Sequence, residues 1–164
     1  SSYTHHLPNV TMCKAKAVSN YPVSIMSNQE VVKNGYDEAI LMDPQGFVCQ
    51  GSGENLFLVN NGELHTPDLS GGALDGITRR TIIEFAQDLG IKVHERRITR
   101  DEFYLADEAF FTGTAAEVTP IREYDDRQIG KGSRGEITEQ LQNLFFDVVQ
   151  GKNDKYAHWL SYVE

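Results

Sequence analysis

The stretch Ala106-Asp107-Glu108-Ala109-Phe110-Phe111-Thr112-Gly113-Thr114-Ala115-Ala116-Glu117-Val118-Thr119-Pro120 decides the fold class. Two runs with strand character, Glu108–Thr112 and Glu117–Tyr124, flank the small residues Gly113-Thr114-Ala115-Ala116. Aromatic and β-branched side chains suit a pleated, half-buried surface, and a glycine between two such runs marks a tight return. Small residues there serve a packed bend, and they also let a ligand approach the backbone. Thr114 would offer both an N–H and a hydroxyl to an anion.

Working outward, three more runs precede it: Glu38–Asp43, Phe47–Gln50 and Asn55–Val59. Pro44-Gln45-Gly46 and Asn60-Asn61-Gly62 separate them, so they read as an antiparallel meander. Ile91–Arg97 is a further strand. Helical spacing appears in three places. Pro22 suits the first turn of a helix starting near Asn20-Tyr21, and Gly35 suits its stop. Thr78 to Leu89 places Ile82, Ile83, Ala86 and Leu89 on one side, with Gly90 closing it. Ile137, Leu141, Leu144, Phe145 and Val148 form a third stripe. A short last helix is expected between Asp154 and Val163. Strands and helices mix without strict βαβ alternation, which predicts an α+β domain.

The chain has 164 residues, enough for one domain with a real core. A formal charge of −9 opposes binding to nucleic acid or to an acidic membrane surface. No apolar run approaches the roughly 20 residues that span a bilayer, and no signal peptide is visible. Cys13 and Cys49 form no C-x-x-C pair; both are expected to be small buried apolar groups in a reducing, cytoplasmic setting. Ser1-Ser2-Tyr3 reads like the middle of an element, so the chain is expected to be truncated at its N-terminus.

Four segments are candidates for chemistry. Lys16 lies between Ala15 and Ala17, before the first helix; a nucleophilic lysine needs a partly desolvated amine. On local context alone a solvated surface lysine explains it better. Gly71-Gly72-Ala73-Leu74-Asp75-Gly76-Ile77-Thr78-Arg79 ends at a helix start, where free N–H groups would hold an anion; Asp75 or Thr78 would equally cap the helix. Gly113-Thr114-Ala115-Ala116 is the third. Gln50-Gly51-Ser52-Gly53-Glu54-Asn55 is the fourth, where the Gln50 amide and the Glu54 carboxylate would line a pocket. The five histidines show no metal-ligand spacing, so no metal is expected. There is no G-x-S-x-G elbow and no P-loop. The charges of Glu95-Arg96-Arg97 and Arg100-Asp101-Glu102 read as a solvated face.

Taken together and in order, these segments resemble one family. Lys16-Ala-Val-Ser-Asn20-Tyr21, Gly51-Ser-Gly-Glu54-Asn55-Leu-Phe57, Thr66-Pro67, Leu74-Asp-Gly-Ile77-Thr78-Arg79 and Ala106 to Pro120 are similar to the class IV pyridoxal-phosphate (PLP) aminotransferases. The intact Gly-Thr-Ala-Ala-Glu-Val-Thr-Pro block resembles their branched-chain amino-acid group. The resemblance runs from Ser1 to the Trp159–Val163 end.

The resemblance implies the larger domain of the D-amino-acid aminotransferase-like fold over residues 1–164, with mixed and antiparallel strands and packed helices. It implies PLP as cofactor and Lys16 as the Schiff-base lysine that also moves the α-proton. Tyr21 would meet the PLP phenolate oxygen. The N–H groups of Ile77 and Thr78, with the Thr114 hydroxyl, would hold the phosphate. Ala115 and the Thr114 N–H would meet the substrate carboxylate. Glu54 would orient Tyr21 and its neighbours. The implied reaction moves an amino group from leucine, isoleucine or valine to 2-oxoglutarate, in a cytoplasmic homodimer or higher homo-oligomer serving branched-chain amino-acid biosynthesis. A PLP lyase, a D-amino-acid aminotransferase and a non-catalytic fragment or degenerate subunit are the alternatives.

Two departures from the family pattern shape the expectation. Gln50 stands where the family usually has a glutamate against the pyridine nitrogen, which predicts slow transamination or a bias to another PLP reaction. The family's smaller N-terminal domain, which supplies an arginine to the phosphate, is not among these residues. The 164 residues alone are therefore expected to bind PLP weakly and to be inactive.

Overall fold

The computed structural model describes residues 1–163. In chain order its elements are α1 (Tyr21–Lys33), β1 (Ile40–Met42), β2 (Val48–Gly51), β3 (Asn55–Asn60), β4 (Glu63–Pro67), α2 (Ile77–Asp88), β5 (Val93–Arg96), α3 (Arg100–Tyr104), β6 (Glu108–Gly113), β7 (Glu117–Pro120), β8 (Glu123–Tyr124), β9 (Arg127–Gln128) and α4 (Glu136–Val149). The α+β expectation holds. Five strands form the main sheet in the order β5-β4-β3-β6-β7. All its pairs are antiparallel except β4 and β5, which run parallel on either side of the α2 crossover.

Period-two alternation along β3 explains why the sheet is buried on both faces. Phe57 and Val59 point to one side with Leu64 and Phe110, and α2 and α4 cover them with Ile82, Phe85, Leu141 and Val148. Leu56 and Leu58 point to the other side, into a core with Ile40, Val48, Ile98, Phe103, Ala109 and Phe111. Phe57 and Phe110 stack 5.2 Å apart across the β3–β6 pair. Full burial of each such side chain contributes on the order of 1.5–3 kcal/mol, so this central pair anchors the whole sheet.

The hairpin β6–β7 forms around Thr114–Ala116, with Gly113 opposite Glu117. Glu117 adopts a left-handed φ of 52°, as a three-residue return with a bulge requires. Helix α1 starts with Pro22 in its first turn and stops at Asn34, followed by Gly35 at φ 89°.

Several expectations need correction. The meander breaks after β2, which pairs only with β1, while β3 joins the main sheet. The bend Gly51–Glu54, closed by Gly51 N–H donating to Glu54 O at 2.7 Å, turns the chain out of one sheet and into the next. Strand β4 was hidden by its mixed composition, Glu-Leu-His-Thr-Pro. The turn before it is a two-residue return with φ 50° at Asn61 and 78° at Gly62, the pattern that forces a hairpin. Helix α3 falls in a segment read as a charged face; the Glu102 carboxylate accepts the Thr99 N–H at its start. The Glu117–Tyr124 run divides into β7 and β8 beyond Pro120, which has no N–H for a ladder. The last helix is a 3₁₀ segment, Asp154–Trp159, whose Tyr156 and Trp159 pack on Phe85.

Cys49 is buried, and burial raises its thiol pKa, with the Asp43 charge adding to the effect. Cys13 is only partly buried, because it lies in the irregular segment before α1 rather than in the core. Among the described residues, no helix is long and apolar enough to cross a membrane.

Candidate active site

The candidate groups gather where β4 and β6 end and β3 and β7 begin. Antiparallel pairing sets Asn55, at the start of β3, opposite Thr112 near the end of β6. The Asn55 amide donates to Leu74 O at 2.7 Å and so ties the loop before α2 to the same end of the sheet. Leu74 N–H donates in turn to Gln50 Oε1 at 2.9 Å, linking the end of β2. Gly113 faces Glu54: a Cβ built on it would lie 3.6 Å from Glu54 Cγ.

A cleft opens here between the start of α1 and this sheet end. Lys16, Tyr21, Gln50 and Glu54 all line it, with Asn20 and Leu74. Four of the sequence-expected groups are therefore brought to one cavity. Ile77, Thr78, Thr114 and Ala115 are not among its lining residues. They lie nearby on the α2 start and the β6–β7 return; Thr78 is buried, and Ile77, Thr114 and Ala115 are exposed. A second, larger cleft lies between Val31–Ile40 and the β7–β8 region and includes none of the expected residues.

Lys16 is exposed, as its local context alone suggested, and it lines the cleft. Its placement comes from Asn20, whose Nδ2 donates to Met12 O and to Ala15 O, both at 3.1 Å. Those two bonds fold the 12–16 segment back onto the start of α1, where Tyr21 is the first helical residue. Nothing in the sequence pattern marked Asn20 as this brace, since its partners are backbone carbonyls.

Gln50 is buried, and its orientation follows from its partner. Leu74 N–H can only donate, so Oε1 faces Leu74 and the amide nitrogen is the end left for other groups. Glu54 folds back to accept the Gly53 N–H at 3.0 Å. Gly51 makes room for it: a Cβ there would stand 2.8 Å from Glu54 Oε2. Burial pushes the Glu54 pKa up and the Glu38 charge adds to this, against the Gly53 bond and the Lys16 charge. His5 also lines the cleft; burial and the neighbouring His6 push its pKa down, and its Nδ1 has no partner.

Helix α2 starts without a side-chain cap and without an acid in its first turn. Its free N–H groups and the positive end of its dipole therefore face outward. Helix α4 shows the contrast: Glu108 fills its start by accepting the N–H of Ile137 at 3.1 Å and of Thr138 at 2.7 Å. Asp75, next to the α2 start, is engaged instead by Arg80 at 2.6 Å, which holds its pKa below the usual range. Beneath it, the buried Arg79 donates to Pro67 O at 3.1 Å and to Glu95 at 2.7 Å, pinning the first turn to β4 and β5. Arg79 appeared in the sequence only as part of a motif; its structural weight depends on its burial.

Tertiary register also assembles a group that sequence spacing did not suggest. Glu63, His65 and His94 bring one ligand atom each within 4.8 Å of one another. His65 and His94 lie 29 positions apart, and only the parallel β4–β5 register makes them neighbours.

With this geometry in place, the comparisons are specific. The sequence profile of the amino-transferase class IV family matches residues 1–124. The branched-chain-amino-acid aminotransferase of Pseudomonas aeruginosa is 51% identical over 164 residues, covering 100% of this chain and 53% of that protein. The enzyme of that name from Escherichia coli K12 is 43% identical over 163 residues, covering 99% and 53%. Among solved structures, the T.th. branched-chain amino acid aminotransferase complexed with N-(5'-phosphopyridoxyl)-L-glutamate superposes with a TM-score of 0.97 at 44% identity, covering 100% of this chain and 55% of that one. The Escherichia coli enzyme superposes with a TM-score of 0.97 at 43% identity, covering 100% and 54%. The chain thus spans about half the length of the curated relatives it matches. Its fold, its cleft and these matches agree, and the chain belongs to the class IV aminotransferase family.

Proposed function

We propose that residues 1–164 are the cofactor-holding larger domain of a PLP-dependent branched-chain-amino-acid aminotransferase. The observation that carries the proposal is the shared cleft of Lys16, Tyr21, Gln50 and Glu54, beside a helix start left uncapped. The donor set fits PLP: an amine for its aldehyde, a phenol and an amide for its ring, and free N–H groups for its phosphate. When bound, PLP supplies an aldehyde for covalent attachment and a ring that withdraws electrons from the α-carbon of an amino acid. Lys16 would be the attachment point, and its Nζ would hold or move a proton at the α-carbon. Tyr21 orients the ring through its hydroxyl. Gln50 offers its free amide nitrogen to the ring nitrogen, and Leu74 holds the amide in that sense. Ile77, Thr78 and Thr114 hold the phosphate, while Ala115 and the Thr114 N–H receive the substrate carboxylate. Glu54 supports Tyr21 and balances the Lys16 charge.

The relatives' names support branched-chain amino acids as amino donors, rather than a lyase reaction or D-amino acids, and the glutamate adduct bound to one related structure goes with 2-oxoglutarate as the acceptor. The exposure of Val10, Met12, Val18, Ile25, Met26 and Val32 supports further protein covering the cleft side, from additional sequence or from a second copy in a homodimer or larger homo-oligomer. The test is borohydride reduction with PLP followed by peptide mapping, and an amino-donor panel on the longer protein. Label on Lys16 together with branched-chain preference supports the reading. Label elsewhere, or none, removes it, and a D-amino-acid preference replaces it with the neighbouring activity.

A further inference from the structure

Away from the cleft, the main sheet carries a second set of chemically capable side chains. His65 on β4 and His94 on β5 are direct register partners in the parallel pair, so their side chains leave the same face side by side. Their rings stack with centroids 4.7 Å apart and planes 11° from parallel. Glu63 precedes His65 by two residues and shares that face. Its Oε2 lies 2.7 Å from His94 Nε2.

We propose that Glu63, His65 and His94 form a binding site for a divalent transition cation of the zinc class. Two imidazoles and one carboxylate are a donor set that zinc accepts, with water completing the coordination. Donor atoms around a tetrahedral zinc, at bond lengths of about 2.1 Å, sit roughly 3.3 Å apart. The three groups already lie within 4.8 Å of one another, so closing the site needs a movement of roughly 1.5 Å. Glu63 and His94 supply it by side-chain rotation, since their side chains are 39% and 30% exposed.

Hydrogen bonding shows where the lone pairs are. The Glu63 carboxylate accepts from His94 and Lys92, which hold its pKa below the usual range and keep it anionic. Burial and the Arg96 charge push the His65 pKa down. Its Nδ1 accepts from Arg96 Nε at 3.2 Å and therefore carries a lone pair. The cation takes that lone pair, and Arg96 retains Glu102, which already holds its Nη2 at 2.6 Å. At His94 the cation takes the place of the proton on Nε2, and the ring stays neutral by carrying its proton on Nδ1 instead. The bound ion links β4 directly to β5. These are the two strands to which Arg79 pins the α2 start, through Pro67 O and Glu95.

The experiment is calorimetric titration of the chelator-treated chain with Zn²⁺, alongside thermal unfolding. We expect one equivalent to bind and the melting temperature to rise by roughly 5–10 °C at a hundredfold excess over Kd. His94→Ala and Glu63→Gln should each abolish both effects, while His158→Ala and Cys13→Ser leave them unchanged. Zinc should shift the ring NMR signals of His65 and His94 in the unaltered chain, a readout that does not depend on any variant folding. No saturable binding, binding that survives His94→Ala, or ring shifts confined to other histidines would each overturn the site. An equal response to Mg²⁺ would overturn the assignment to the zinc class.

Discussion

Replacing Gly76 with alanine tests how tightly the α2 start is built. Gly76 has φ −68° and ψ 143°, which alanine adopts without strain, so any cost comes from contacts rather than from the backbone. A Cβ at this position falls 3.4 Å from Asn55 Cγ and far inside contact with Asn55 Oδ1. Asn55 is 7% exposed, and its Nδ2 is held on Leu74 O at 2.7 Å, so it cannot turn aside and keep that bond. Overpacking costs about 1–3 kcal/mol, and losing the hydrogen bond adds about 0.5–1.5 kcal/mol. The sum is roughly 2–4 kcal/mol. With a urea m-value of about 2 kcal/mol per molar, the unfolding midpoint should fall by roughly 1–2 M. Asn55→Ala removes the obstructing oxygen, so Gly76→Ala made in that background should cost about 1 kcal/mol or less. If Gly76→Ala shifts stability by under about 0.5 kcal/mol, or costs the same in both backgrounds, the packing argument at this helix start is wrong.

Three further outcomes follow from the same geometry. Arg79→Met keeps the buried stem but removes the contacts to Pro67 O and Glu95; equilibrium unfolding should show a loss of about 2–3 kcal/mol, moderated because Glu95 can still reach water. Glu54 has its pKa raised by burial, so between the ordinary glutamate value and the raised one the folded chain holds a proton that the unfolded chain has released. Stability from Glu54 is thus greatest at acid pH and falls as pH rises through the folded value; melting curves taken across that window should flatten in Glu54→Gln, and parallel pH profiles would count against the assignment. In the longer protein, Gln50→Glu keeps the acceptor for Leu74 and places an anion at the ring nitrogen, which should raise transamination turnover by up to about a hundredfold in steady-state kinetics. Unchanged turnover would show that the neutral amide is not limiting.

The hairpin around Gly113–Ala116, the helix between Pro22 and Gly35 and the α2 stripe were legible because each is encoded locally, by turn residues, caps and spacing. The ordered motifs likewise pointed to Lys16, Tyr21, Gln50 and Glu54, which the fold then placed in one cleft. Strand β4 was not legible, since a five-residue run ending in proline becomes a strand only when β3 and β5 pair with it. The break between β2 and β3 was equally hidden, because partner choice across sheets is a long-range matter. The placement of Lys16, the bracing role of Asn20 and the direction of the Gln50 amide all depend on backbone atoms supplied from elsewhere in the chain. The Glu63–His65–His94 cluster is the clearest case. Sequence determined which groups were present and the period that sends Glu63 and His65 to one face. Only the parallel register of β4 and β5 decided that His94 would join them, because strand pairing brings distant residues within a few ångströms without leaving any regular spacing in the chain.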